Sequence, residues 1–252
     1  MEINLINKVV LITGGSRGIG LHIAKLFVQN GANVIITGRN DSSLDNAINE
    51  LGKNAKGFIT DHTSVESIEK LKNHILIEYT TLDCIICNIG SGSSVIAGSE
   101  NFEEWQRVFN INYFTTTNTI ECFKDSIIKN ATNLICISSI CGIESISAPI
   151  TYSVAKSALI NYVNNISKYF GQFGVRINAI SPGNILFESS VWQKKIITDK
   201  IQTEMYITNN VPLQKFGTPD DISYMALYLT SKYAKFITGT NIIIDGGQTK
   251  SI

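Results

Sequence analysis

Seven short runs of apolar, mostly β-branched residues recur along the chain, at 8–13, 33–37, 55–60, 83–87, 133–138, 175–181 and 241–245. The first, KVVLIT, has almost no polar face, so it suits a strand covered on both sides. Stretches of helical length follow at about 41–52, 64–79, 101–129, 151–173 and 219–231. After the first run, Leu21, Ala24, Leu26, Phe27 and Val28 recur at helical spacing, and Gly31 is placed to end that helix. Such alternation predicts parallel strands joined by right-handed crossovers, with helices on both faces. The expected fold class is α/β: a doubly wound parallel seven-stranded sheet, in one domain over residues 1–252. Hydrophobic residues make up 44% of the 252, enough for one large core. The stretch 184–215 fits neither pattern. It carries Trp192, Met205 and Tyr206 and reads as an irregular lid over a ligand.

In sheets of this kind ligands lie outside the carboxyl ends of the strands. The first run ends in GGSRGIG, residues 14–20, and then turns helical. Glycines allow a tight turn and close approach of a pyrophosphate, and a helix N-terminus offers it free N–H groups and a positive dipole end. Gly14, Ser16, Arg17, Gly18, Ile19 and Gly20 are therefore candidate dinucleotide contacts. The later runs end in Gly38-Arg39, Asp61-His62, Asn88-Ile89-Gly90, Ser139 and Pro182-Gly183, so polar and glycine residues collect on one edge.

Tyr152 and Lys156 stand four apart in TYSVAKSALINYV, thirteen residues after Ser139. On a helix they share a face. An ammonium beside a phenol favours phenolate, so the Tyr152 pKa is expected below its ordinary ~10, which suits proton exchange with a carbonyl or alcohol.

With these residues in view, the chain resembles the single-domain short-chain dehydrogenases/reductases from about Lys8 to Gly247. The likeness is carried by TGGSRGIG at 13–20, Asp61, NIG at 88–90, Asn112 in FNINYF, Ser139, YSVAK at 152–156, SPG at 181–183 and IDGG at 244–247. It implies a Rossmann-type fold and a nicotinamide cofactor that supplies hydride. It further implies that Tyr152 is the general acid or base and that Ser139 holds the substrate oxygen. Lys156 would bind the nicotinamide ribose and lower the Tyr152 pKa, and Asn112 would hold a water linking Lys156 to solvent. Asp61 would contact adenine, Asn88 the adenosine side, and His62, Gly90, Pro182, Gly183 and Ile185 would line the cofactor cleft. Three duller readings stay open: Ser138 as the working serine, Asn112 as a helix-kink residue, and Asp61 as a helix cap.

The second strand ends TGRN with no carboxylate, and Arg39, with Arg17 nearby, suits a ribose 2′-phosphate. NADP(H) is expected, with NAD(H) as the alternative. Two features depart from the family pattern. Ile89 replaces a small residue in NIG, and Phe187 falls where a threonine near the nicotinamide carboxamide is common. The carboxamide would then rely on backbone groups such as those of Ile185. A small carbonyl or alcohol is the expected substrate. The alternative is 3-oxoacyl-acyl-carrier-protein reduction, although Asn130 and Phe173, at positions flanking the site, are not basic; Lys129 and Lys168 are close.

Lys+Arg and Asp+Glu both number 21, so the formal net charge is zero; with no basic run, nucleic-acid partners are not expected. No apolar stretch approaches ~18 residues, so no membrane span is expected. The N-terminus lacks a secretion signal, and the five cysteines read as reduced thiols, so a cytoplasmic location is expected. Cys84 and Cys87 lie in one strand facing opposite sides, and no metal site is expected. The three histidines are scattered and read as surface or partly buried residues. Apolar residues on the two long helices, among them Phe109, Tyr113, Phe114, Ile160, Tyr162, Val163 and Ile166, suggest a homotetramer or homodimer.

Overall fold

The computed structural model describes residues 2–250. Its strands are β1 (Val9–Thr13), β2 (Asn33–Gly38), β3 (Ala55–Ile59), β4 (Cys84–Cys87), β5 (Asn133–Ile137), β6 (Ile177–Pro182) and β7 (Asn241–Ile244). They form one seven-stranded sheet in the order β3-β2-β1-β4-β5-β6-β7, every pairing parallel. The chain runs outward from β1 to β3, returns to place β4 beside β1, then runs outward the other way. The crossovers therefore diverge between β1 and β4 and open a crevice at their carboxyl ends.

Helices cover both faces: α1 (Gly18–Gln29), α2 (Asp41–Leu51), α3 (Val65–Glu78), α4 (Phe102–Phe109), α5 (Thr115–Cys122), α6 (Lys124–Asn130), α7 (Ile150–Gly171), α8 (Val191–Thr198), α9 (Lys200–Asn210) and α10 (Pro219–Thr230). Every residue of β1, β4 and β5 is buried, as apolar runs without a polar face require. The two faces seed two cores. Val10, Ile12, Cys84 and Ile86 pack with Ile23 and Phe27 of α1. Val9, Leu11, Ile85 and Cys87 pack with Ile68, Phe123, Leu159 and Phe170 on the other side. Cys84 and Cys87 thus face opposite cores, and all five cysteines are free thiols.

Two expected elements differ. The stretch 101–129 is not one helix: α4 passes into a π-helical turn, Asn110–Phe114, before α5, and α6 starts anew after Phe123. Thr115 and Thr119 hydroxyls donate back to the carbonyls of Ile111 and Thr115, which bends helices. The stretch 184–215, expected as an irregular lid, is not irregular: it contains α8 and α9, whose N-termini are capped by Ser190 and Asp199 accepting from Gln193 and Gln202 N–H groups. Apolar spacing alone hid them because much of each helix is exposed.

Candidate active site at the carboxyl edge of the sheet

The glycine turn lies where β1 ends. Gly15 N–H donates to the Thr37 carbonyl at 3.0 Å, so β2 holds the turn from one side. Asn88, at the end of β4, holds it from the other: its side-chain amide donates to the Thr13 and Gly14 carbonyls at 3.2 and 3.0 Å, and its N–H donates to Thr13 Oγ1. A Cβ at Gly20 would sit 2.5 Å from Asn88 Nδ2 and 2.6 Å from Gly14 O, so only glycine permits this packing. Asn88 is therefore a brace for the turn. The N-termini of α2, α3 and α4 are capped by the side chains of Asn40, Ser64 and Asn101, whereas α1 begins with no side-chain cap and no acidic residue in its first turn. Its first N–H groups are left for an anion, and a dinucleotide pyrophosphate fits them.

Arg17 and Arg39 are exposed at the two sides of this corner, and Ser16 lies against Gly38. Asp61 does not cap α3; Ser64 does. Asp61 Oδ1 accepts from the Thr63 N–H at 2.9 Å and the Thr63 hydroxyl at 2.8 Å. Those bonds, aided by the Arg39 charge, hold the Asp61 carboxyl below the usual carboxylate range. His62 does not line the cleft with its ring, nor is it a surface histidine. The residue is 1% exposed, and the ring sits between Thr37 Oγ1 at 2.9 Å and Thr119 Oγ1 at 2.7 Å. Thr119 donates its own proton to the Thr115 carbonyl, so it accepts from His62 Nδ1–H; Nε2 then accepts from Thr37, which in turn accepts from Gly14 N–H. This chain requires neutral imidazole, and burial pushes the His62 pKa down to about 4.

Ser139 follows β5 and caps a short 3₁₀ turn, its Oγ accepting from Cys141 N–H at 3.2 Å. Ser138, the rival serine, instead donates to the Lys156 carbonyl at 3.0 Å, which makes it a tie between β5 and α7. Tyr152 and Lys156 occupy the first turns of α7, with Lys156 Nζ 6.0 Å from the Tyr152 ring centroid. Lys156 is buried, and its ammonium donates to the Ile137 carbonyl at 2.8 Å. The expected lowering of the Tyr152 pKa is not found. Desolvation raises it above 10, with Ser139 pulling the other way. The same desolvation lowers Lys156 to about 8. Asn112 lies in the π-helical turn, the kind of distortion that clusters at working sites. It accepts from Ser91 N–H at 2.8 Å and donates to the Ser91 and Val108 carbonyls. A Cβ on Gly90 would lie 3.0 Å from Lys156 Nζ and 3.1 Å from Asn112 Oδ1. Gly90 therefore leaves room for those two polar ends on one side of the β4 loop.

At the end of β6, Pro182 is buried and Gly183 N–H donates to the Ile244 carbonyl. Ile185 bridges Gly217 in parallel, using the Asn184 carbonyl and Leu186 N–H, so the N–H and C=O of Ile185 point the other way. The lid aromatics expected over a ligand pack mainly on one another. Trp192 stacks on Tyr206 at 5.4 Å and meets Phe216 at 5.5 Å, with Lys195 Nζ 4.4 Å above the Trp192 ring. Cys141, unremarked in the sequence, shares the pocket with Ser139, Tyr152 and Lys156: its thiol is raised by burial and eased back by Ser139 and by the Lys156 and Lys195 charges. Its position two after Ser139 was the signal that could have found it.

A family profile described as enoyl-(acyl carrier protein) reductase matches residues 14–249. The 3-oxoacyl-[acyl-carrier-protein] reductase FabG of Chlamydia muridarum is 33% identical, covering 97% of this chain and 98% of that protein. Glucose 1-dehydrogenase 2 of Bacillus subtilis is 30% identical, over 98% of this chain and 96% of its own. A crystal structure of a short-chain type dehydrogenase/reductase from Mycobacterium marinum superposes with TM-score 0.89 at 25% identity, covering 98% of both chains.

Proposed function

The chain belongs to the short-chain dehydrogenase/reductase family, and from that premise we propose that it is an NADP(H)-dependent reductase of a carbonyl substrate, running in reverse on the matching alcohol. The observation that carries this reading is that Lys156 Nζ and Asn112 Oδ1 both face Gly90, with the Tyr152 ring 6.0 Å from Lys156 Nζ and Ser139 in hydrogen-bond reach of Tyr152, in a chain whose glycine turn opens into a helix with no side-chain cap. The nicotinamide cofactor supplies the hydride. Ser139 holds the substrate oxygen by a hydrogen bond and stabilises the charge that gathers there. Tyr152, protonated at neutral pH because its phenol is desolvated, gives its proton to that oxygen. Lys156 keeps a positive charge beside the phenol as the proton leaves, below its pKa of about 8. The second lone pair of Asn112 Oδ1, on the Gly90 side, offers a water a place from which to reprotonate that pair. Gly14, Ser16, Arg17, Gly18, Ile19 and Gly20 take the pyrophosphate segment, Asp61 and the His62 backbone the adenine side, and the free N–H and C=O of Ile185 the carboxamide.

Arg39 supports NADP(H) over NAD(H). It is exposed at the end of β2, where no acid stands to repel a 2′-phosphate. The profile's description names an alkene and the relatives' names a ketone or sugar; convergence of two oxygen-directed hydroxyls favours C=O. A second reading, reduction of a 3-oxoacyl group on a carrier protein, is favoured by the FabG relatives and supported on this chain by Lys129 and Lys168 in the last turns of α6 and α7.

An NADPH-oxidation screen over ketones, keto-sugars, free acyl thioesters and carrier-bound 3-oxoacyl thioesters tests both readings. Tyr152→Phe is expected to keep cofactor affinity by calorimetry and to lose about 10²–10⁴-fold in turnover. Full turnover by the variant would place the proton donor elsewhere.

A further inference from the structure

The ring of Phe187 lies on the glycine turn. A Cβ built at Gly18 would fall 2.6, 2.9 and 3.2 Å from three atoms of that ring. Gly18 is the first residue of α1 and has φ +56°, in the left-handed region, so a side chain is disfavoured there on conformational grounds as well. The space a side chain would need at Gly18, the first residue of a helix that begins without a side-chain cap, is filled by Phe187.

The backbone around Phe187 is anchored on both sides. On one side Leu186 N–H is fixed to the Gly217 carbonyl at 2.9 Å. On the other, the Ser190 N–H donates to the Phe187 carbonyl at 3.1 Å and Ser190 caps α8. Between them Ser189 sits at φ +63°, a strained value for a residue with a side chain. The ring is therefore tied to the start of the lid, with a strained residue between it and α8.

We propose that Phe187 is a gate on the glycine turn: in the free chain its ring covers the N-terminus of α1, and the pyrophosphate segment of the dinucleotide must displace it, swinging the start of the lid. This rests on the reading that the chain binds a nicotinamide dinucleotide. The physical argument is exclusion: one volume above Gly18 cannot hold both an aromatic ring and the pyrophosphate that α1 attracts. A covering ring taxes binding by the fraction of time it is away.

The test compares two probes by stopped-flow and calorimetry. NADPH crosses the turn; adenosine 2′-monophosphate carries the 2′-phosphate but neither phosphate of the pyrophosphate. In Phe187→Ala, and in Phe187→Thr should the alanine variant fold poorly by circular dichroism, NADPH is expected to associate faster and bind on the order of tenfold tighter, the tax of a site open about one tenth of the time. The 2′-monophosphate is expected to bind as it does to the wild type. Equal changes for both probes, or weaker NADPH binding in both variants, would overturn the gate while leaving dinucleotide binding intact. Wild-type protein that binds neither probe would overturn the dinucleotide reading and the gate with it.

Discussion

His62 is a buried strut between the glycine turn and α5. Its neutral ring joins the glycine turn to α5 through Thr37 and Thr119, and its pKa falls from 6.5 to about 4 in the fold. The folded value is depressed, so above pH 6.5 neither state binds the proton and the group costs nothing. As pH falls below 6.5 the unfolded chain gains a proton the native ring refuses, and stability drops until pH approaches about 4. Urea titrations at pH 7 and 5 should therefore show a loss of roughly 2 kcal/mol from this residue. His62→Gln should lack that part of the acid sensitivity; an unchanged difference between the two pH values would contradict it. Tyr152 and Lys156 were legible as a pair beforehand because helical spacing alone joins them. The fate of His62 was not, because its cover comes from α5, 57 residues along the chain.

The helices α8 and α9 are tied to the end of the sheet by a polar chain that sequence spacing does not reveal. Asn184 Nδ2 donates to Gln248 Oε1 at 2.6 Å, and Gln248 Nε2 donates to the Tyr206 hydroxyl at 3.2 Å. Asn184 and Gln248 are buried, so breaking the chain leaves a desolvated amide at a cost of about 1–3 kcal/mol. Gln248→Ala should loosen α9 and speed tryptic cleavage at Lys194, Lys195 and Lys200, mapped by mass spectrometry, while the sheet stays folded. Cleavage at the wild-type rate would show that Trp192 stacking alone holds the two helices. The strands were readable because a run with no polar face has few other uses. The break at Asn110–Phe114 was not, because a π-helical turn follows from where Asn112 finds its partners on the β4 loop, and those lie about twenty residues upstream.

For the whole molecule, the apolar residues expected to mediate assembly are mostly spent inside the monomer: Val163 is buried, and Tyr113, Tyr162 and Ile166 pack against the core. Phe114 of that set remains outside, together with others. Phe102, Phe114, Ile150, Val154, Tyr169 and Phe173 are exposed on or beside α4, α5 and α7, and Phe236 is 100% exposed before β7. A homotetramer covering these surfaces remains our proposal. Light scattering at micromolar concentration should give about four times the 27.7 kDa chain mass, and a mass of one chain would reject assembly. The sheet, its parallel sense, the glycine turn and the Tyr152–Lys156 pair were in the sequence alone, since each follows from local periodicity or from a motif of fixed spacing. Tertiary structure alone decided that His62 is a buried strut, that Asn88 braces the turn, that the stretch 184–215 is helical and pinned by Gln248, and that Phe187 covers Gly18. Those outcomes depend on which distant groups share one volume and who is left to satisfy a buried polar atom, and neither is encoded in local spacing.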